Sequence, residues 1–121
     1  MAKHFFGGML ISTVLWVTAA GLSPRFAFVA NSSDNTVSVY TVNASSGLLR
    51  ANGYVVVKNN PTGMAVTPGG QFLYLVNSSS ADVSGFFVNT HNGILTAILG
   101  SPFATGTTPA AVTTDPGGKF L

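Results

Sequence analysis

The chain has 121 residues, of which 46% are hydrophobic and only 7% charged, against about 25% charged in an ordinary soluble domain. Five Lys and Arg against three Asp give a formal net charge of +2; no like charges run together, so the pI near 9.3 reflects few ionisable groups rather than a basic patch and gives no support to nucleic-acid binding. The absence of cysteine excludes disulfides, thiolate metal sites and a cysteine nucleophile.

The N-terminus reads as an address. Met1-Ala2-Lys3-His4 is short and basic, Phe5 to Val17 is mostly apolar, and Thr18-Ala19-Ala20-Gly21 supplies small residues. This order is that of a secretory signal peptide, here expected as a helical segment over residues 1–20 cleaved after Ala19 or Ala20. Its apolar core of about 13 residues falls short of the roughly 20 that span a bilayer. Leu22 stands where a lipoprotein would carry cysteine, so there is no thiol to lipidate. The expected product is exported, to the periplasm or outside the cell, with no stable membrane insertion after cleavage.

From Arg25 the chain reads as strands and turns. Phe26 to Ala30 is a short apolar run suited to a strand buried on both faces. Asn31-Ser32-Ser33-Asp34-Asn35 is a turn cluster, and Thr36 to Val42 alternates with period two and is rich in β-branched residues. Asn43-Ala44-Ser45-Ser46-Gly47 is a second turn. Leu48 to Arg50 and Tyr54 to Val57 predict a third strand broken at Asn52-Gly53, and Met64 to Thr67 a short fourth one. Pro68-Gly69-Gly70 then leads into Gln71-Phe72-Leu73-Tyr74-Leu75-Val76-Asn77.

That motif and its surroundings recur. Arg25–Arg50 aligned with Gln71–Thr96 shares Phe26, Asn31, Ser32, Ser33, Val37, Ser38, Val42, Asn43, Gly47 and Leu49; Asn60–Leu73 aligned with Thr108–Leu121 shares Pro61, Pro68, Gly69, Gly70, Phe72 and Leu73. A period of about 46 residues with four short strands per repeat is the signature of a propeller blade. The prediction is therefore an all-β fold, a partial β-propeller of four-stranded antiparallel blades, over residues 21–121. Blade repeats fall near 25–70 and 71–118, and a third begins at 119. Met64–Thr67 and Ala110–Thr114 are placed on the channel, with Leu48–Val57 and Leu95–Leu99 outermost.

The run Pro-x-Gly-Met-Ala-Val-Thr-Pro-Gly-Gly-Gln-Phe-Leu-Tyr-Leu-Val-Asn, followed by Val-Ser-Gly-Phe-Phe-Val-Asn and Gly-Ile-Leu-Thr, resembles the YVTN-type propellers. It is most similar to the lactonase-like seven-bladed propellers related to 6-phosphogluconolactonase, and Ser101-Pro102-Phe103 fits the same group. The resemblance implies about seven blades where this chain holds roughly two. It is thus expected to be a fragment, a truncated reading frame or a piece that needs partners, and the isolated chain is expected to self-associate through open blade edges.

Chemistry is sparse. His91 is the only histidine after the signal segment, and it sits in a turn; one histidine makes no metal site. Asp34, Asp82 and Asp115 all lie in or beside turns, Asp115 where Thr67 stands in the earlier copy, and no calcium-loop spacing is present. Gly-x-Ser-x-Gly is absent, and Gly69-Gly70 and Gly117-Gly118 precede no helix that would make them phosphate loops. Asn31, Asn43 and Asn77 begin glycosylation triplets but read as turn residues in equivalent places. Lactonase-like relatives use acidic, basic and histidine side chains around the channel mouth, and none transfers onto Met64–Thr67 or Ala110–Thr114. No catalytic residue, metal or cofactor is assigned. Two functions stay open: a lactonase-like hydrolase acting on a sugar lactone, and a non-catalytic propeller that binds a protein or glycan.

Overall fold

The structure is a computed structural model that describes residues 13–18, 24–117 and 119–121. It is all-β. Two antiparallel four-strand meanders follow one another. The first runs β1 (Thr13–Thr18), β2 (Pro24–Asn31), β3 (Thr36–Val42) and β4 (Leu49–Val56), each strand bonded to the next. The second runs β5 (Pro61–Val66), β6 (Phe72–Asn77), β7 (Asp82–Val88) and β8 (Leu95–Ala97), with the two-residue β9 (Phe103–Ala104) also on β7. The sequence repeats at 25–70 and 71–118 therefore each run from the second strand of one sheet into the region of the first strand of the next.

Alternation sets which face is buried. On β2 and β3, Phe28 pairs with Val39 and Ala30 with Val37; on the second sheet Met64 pairs with Leu75 and Leu73 with Phe86. These residues, with Phe26, Val88 and Leu95, form one buried apolar cluster between the two sheets. Full burial of a side chain such as Phe28, Leu73 or Leu75 contributes about 1.5–3 kcal/mol. The sheets meet where β5 contacts β1 and β2, which puts β1 and β5 on the inner side and β4, β8 and β9 on the outer side.

Four differences from the sequence expectation have local causes. Within the expected signal helix, Thr13–Thr18 is instead strand β1, in register with β2 from Thr13 opposite Ala30 to Val17 opposite Phe26; the rest of that segment lies outside the described residues. The run Thr-Val-Leu-Trp-Val-Thr suits a strand, and it satisfies backbone groups along β2 that would otherwise be an open edge. Second, β4 is continuous. Ser38 faces Tyr54 while Tyr40 faces Ala51, so Asn52-Gly53 carries one extra residue as a bulge, with Gly53 at φ 87°.

Third, the matching outer strand of the second sheet is shorter than Leu95–Leu99. It ends at Ala97 and resumes as β9, which the sequence reading did not identify. Leu49 and Leu95 face equivalent residues, Val42 and Val88, while Val56 and Ala104 face Thr36 and Asp82. The spacing is 95 − 49 = 46 at one end and 104 − 56 = 48 at the other. Two residues are thus inserted here, and Ile98–Pro102 loops out to hold them. Fourth, residues 110–114 form no strand. They run past β5 with Ala110 O only 3.3 Å from where a Cβ on Gly63 would lie. Beyond them the turn closes through Asp115 N to Phe120 O at 3.0 Å, without the ladder a strand needs.

The two β-hairpin turns at one end test the packing. Gly47 and Gly93 both have left-handed backbone, φ 74° and 78°, and each donates its N–H to the Asn four residues back. A Cβ on Gly47 meets nothing within 4 Å, whereas one on Gly93 would lie 2.7 Å from Phe26 Cδ1. Gly47→Ala is expected to cost about 1 kcal/mol, and Gly93→Ala about 2–5 kcal/mol because it adds a clash in the inter-sheet core. Urea unfolding of the two variants measures the difference; equal losses would mean that Gly93 does not press on Phe26.

Candidate functional site

Polar chemistry gathers at the two ends of the sheets. At one end, β2 and β6 finish in Asn31 and Asn77, which do the same job. Asn31 Nδ2 donates to Thr36 Oγ1 at 3.0 Å and Ser38 Oγ at 2.9 Å. Asn77 Nδ2 donates to Asp82 Oδ1 at 2.7 Å and Ser84 Oγ at 2.9 Å. Asn77 is wholly buried, and its Oδ1 has no partner. The following serines tie each blade to the next segment. Ser32 Oγ donates to the carbonyl of Pro61 at 2.9 Å, and Ser78 Oγ to that of Pro109 at 2.8 Å. Asn35 Oδ1 accepts the N–H of Asn60 at 2.9 Å. At this rim Asn31 and Asn77 tie strands of the same sheet, while Ser32, Asn35 and Ser78 fasten one blade to the segment that follows.

The third sequence triplet differs in kind. Asn43 is exposed at the opposite end, where its Oδ1 accepts the N–H groups of Ser45 and Ser46, each at 2.9 Å. Asn89 holds the equivalent turn through the N–H of His91 at 2.9 Å.

The candidate acids and base do not converge. Asp34 and Asp82 lie at the Asn31–Asn77 end. His91 lies in the β7–β8 turn at the other end, exposed, and β7 alone separates the ends by about 20 Å at 3.4 Å per residue. Asp115 is also at the His91 end, in the turn that repeats Thr67. Thr67 Oγ1 accepts from Phe72 N at 3.2 Å; Asp115 Oδ1 accepts from Phe120 N at 2.6 Å and Oδ2 from Gly117 N at 3.1 Å. These amides, Phe120 foremost, hold the Asp115 carboxyl below the ordinary aspartate range, against a smaller opposing effect of burial. Its work is to close a turn. Among the described residues no three His, Asp or Glu side chains come together as a metal site.

On the inner strand β5, Pro61–Val66 carries no ionisable side chain. Two clefts open farther out. One of about 330 Å³ lies between Val56, Val57 and Lys58 of the first sheet's end and Ser84, Phe86 and Ala97 of the second sheet. The other, about 340 Å³, lies on the first sheet and is lined by Asn31, Asp34, Thr36, Ser38 and Tyr54. The pairing of Asn31 with two hydroxyls had a signal in the sequence, because Asn, Ser and the strand after them recur together. The cleft had none, since Tyr54 reaches it from a different strand.

Comparison with known proteins adds the following. The family model described as lactonase, 7-bladed beta-propeller matches residues 17–112. No curated protein matches the sequence. Among solved structures, a candidate 6-phosphogluconolactonase from Bacteroides fragilis superposes with a TM-score of 0.72 at 18% identity, over 84% of this chain and 27% of that one. The periplasmic gluconolactonase of Pseudomonas aeruginosa gives a TM-score of 0.70 at 23% identity, over 86% of this chain and 29% of that one. Hydrazine synthase of Kuenenia stuttgartiensis gives 0.62 at 27% identity, over 93% and 31%. The chain thus spans less than a third of the length of each of these structures.

The Asp115 turn makes a pH prediction. A carboxyl whose folded pKa is depressed stabilises its turn above the unfolded pKa and loses that contribution as pH falls through the folded one. At neutral pH, Asp115→Ala should speed amide exchange of Phe120 and Gly117 relative to the parent, and the two proteins should converge as pH drops below the aspartate range. Amide exchange followed by NMR measures this; a difference that persists unchanged in acid would mean that the carboxylate does not hold the turn.

Proposed function

Because this chain belongs to the lactonase family of seven-bladed β-propellers, we propose that it supplies two adjacent blades of an exported sugar-lactone hydrolase and is inactive alone. The observation that carries the family assignment is the match over residues 17–112. Opening a lactone with water calls for a general base and for groups that stabilise the developing oxyanion. Here the inner strand β5 offers neither, and His91 and the pair Asp34 and Asp82 sit at opposite ends of the sheets. In this reading the two blades build the wall of a channel, and the acid, base and oxyanion groups come from other blades of the ring.

Export draws support from the signal-like order of residues 1–20 and from the likeness to a protein named a periplasmic gluconolactonase. It carries a structural consequence. Cleavage after Ala19 or Ala20 would remove β1 and leave one edge of β2 unpaired, which another strand would then have to cover. The second reading is a non-catalytic binding propeller; the likeness to hydrazine synthase, which is named for other chemistry, is a sign that such blades are not confined to lactone hydrolysis. Fold alone does not choose between them.

The test is hydrolysis of D-glucono-1,5-lactone followed by pH-stat titration of the acid released. The 121-residue chain is expected to add nothing to the spontaneous rate. Saturable hydrolysis that survives His91→Ala would overturn the inactive-alone reading, as would hydrolysis that this substitution abolishes.

A further inference from the structure

The polar side chains in the cleft between the two sheets are placed as donors with no carboxylate among them, and we infer that it is a binding site for a small monocarboxylate with an apolar body. Both walls of this cleft belong to the chain. The end of β4 and Lys58 form one wall; β7, β8 and the Ile98–Pro102 loop form the other. The second sheet has its preceding blade in place here, so the opening persists where blade meets blade. Ser84 on β7 is only 5% exposed, and its Oγ accepts from Asn77 Nδ2 at 2.9 Å. Ser101 Oγ accepts from Gly85 N at 2.9 Å. Among the described residues neither hydroxyl gives its own proton to a partner, so each keeps one for a further acceptor. Lys58 is exposed and, among the described residues, makes no ion pair; its ammonium can only donate.

Two hydroxyl protons and one ammonium call for an acceptor with more than one lone pair, and a carboxylate is that group. No Asp or Glu lines the cleft to compete for Lys58. The acid next along β7, Asp82, already accepts from Asn77 Nδ2 at 2.7 Å. A single cation suits one negative charge rather than two. The remaining wall is apolar, with Val57, Phe86 and Pro102 on it. A head group alone would leave that surface in water, and an apolar body alone would leave the donors unmatched. A ligand that carries both satisfies both, and about 330 Å³ is the scale of a small-molecule site.

The donor set is not a feature that the repeat would supply anyway. In the register that places Ala104 opposite Asp82 as Val56 lies opposite Thr36, the residue equivalent to Lys58 is Gly106, which has no side chain to offer. Ser101 sits in the loop that holds the two inserted residues and has no counterpart on β4. Only Ser84 recurs, as Ser38. The cation of one blade and the inserted hydroxyl of the next meet at this seam alone. The site does not rest on the lactonase reading, since no residue of β5 lines it.

The experiment is a saturation-transfer NMR titration of the full 121-residue chain, a readout that works equally for a monomer and an oligomer. The probes are benzoate, benzyl alcohol, which keeps the ring without the charge, and acetate, which keeps the charge without the ring. Benzoate is expected to bind saturably and about tenfold more tightly than either control. Lys58→Met, which keeps the length of the stem, should weaken benzoate by about five- to tenfold and leave benzyl alcohol unchanged. Ala97 also lines the cleft, and Ala97→Phe should fill it and weaken benzoate by roughly tenfold. Lys58 and Ala97 are both exposed, so thermal unfolding of the variants should match the parent. Absence of saturable benzoate binding, equal binding of benzoate and either control by the parent, or unchanged benzoate affinity in either variant overturns the site.

Discussion

Everything else in this structure depends on one apolar layer, the face of the first sheet that carries Phe26, Phe28, Ala30, Val37 and Val39 pressed against Met64, Leu73, Leu75, Phe86 and Val88 of the second. Neither meander can keep such a face in water, and each covers the other's. The sheets converge at their first strands and open toward their last, so the cleft walled by Val56, Val57 and Phe86 appears between them at the outer side. At the two ends, polar groups hold the seam: Ser32 and Ser78 reach the carbonyls of Pro61 and Pro109, and Asn52 Nδ2 reaches the carbonyl of Asn92 at 2.6 Å. The layer contributes the free energy, and these bonds set the register of one blade on the next.

The repeat tolerates change where that layer does not feel it. The outer strand takes one extra residue as the Asn52-Gly53 bulge in the first sheet and a five-residue loop in the second. Leu95 is nevertheless buried at the inner end of that strand, and the core positions of β6 and β7 keep the spacing of β2 and β3. At Asn35 and Ala81 both copies adopt left-handed backbone at φ 57°, although only asparagine favours it. The backbone shape of the turn is evidently imposed by the strands and by the bonds its carbonyl accepts, from Val57 N in one copy and Thr105 N in the other, both at 2.9 Å.

Much of this was legible in the chain. The alternation of Thr36–Val42, the doubled Asn-Ser-Ser turns and the Pro-Gly-Gly turn are local signals, and they located β2, β3, β5, β6 and β7. Strand β1 was hidden because an apolar run near a basic start looks the same whether it serves export or a sheet. Strand β9 is two residues after a proline, below any periodicity. The Ser–Pro fastening was hidden because a turn serine looks alike whether it faces water or a carbonyl about 30 residues away; the recurrence of Ser32 before Pro61 and Ser78 before Pro109 was the available clue. Groups that share a cleft were the least legible, since they are assembled from separate strands, as where Tyr54 joins Thr36 and Ser38.

The central claim is that the two sheets are one cooperative unit held by a shared core. Native-state amide exchange on the parent and on Phe28→Ala tests it, Phe28 being wholly buried on the first sheet. The account predicts that amides of β2 and β3 and those of β6 and β7 lose protection together, by about 3–5 kcal/mol. Loss confined to β2 and β3, with β6 and β7 protected as in the parent, would contradict it.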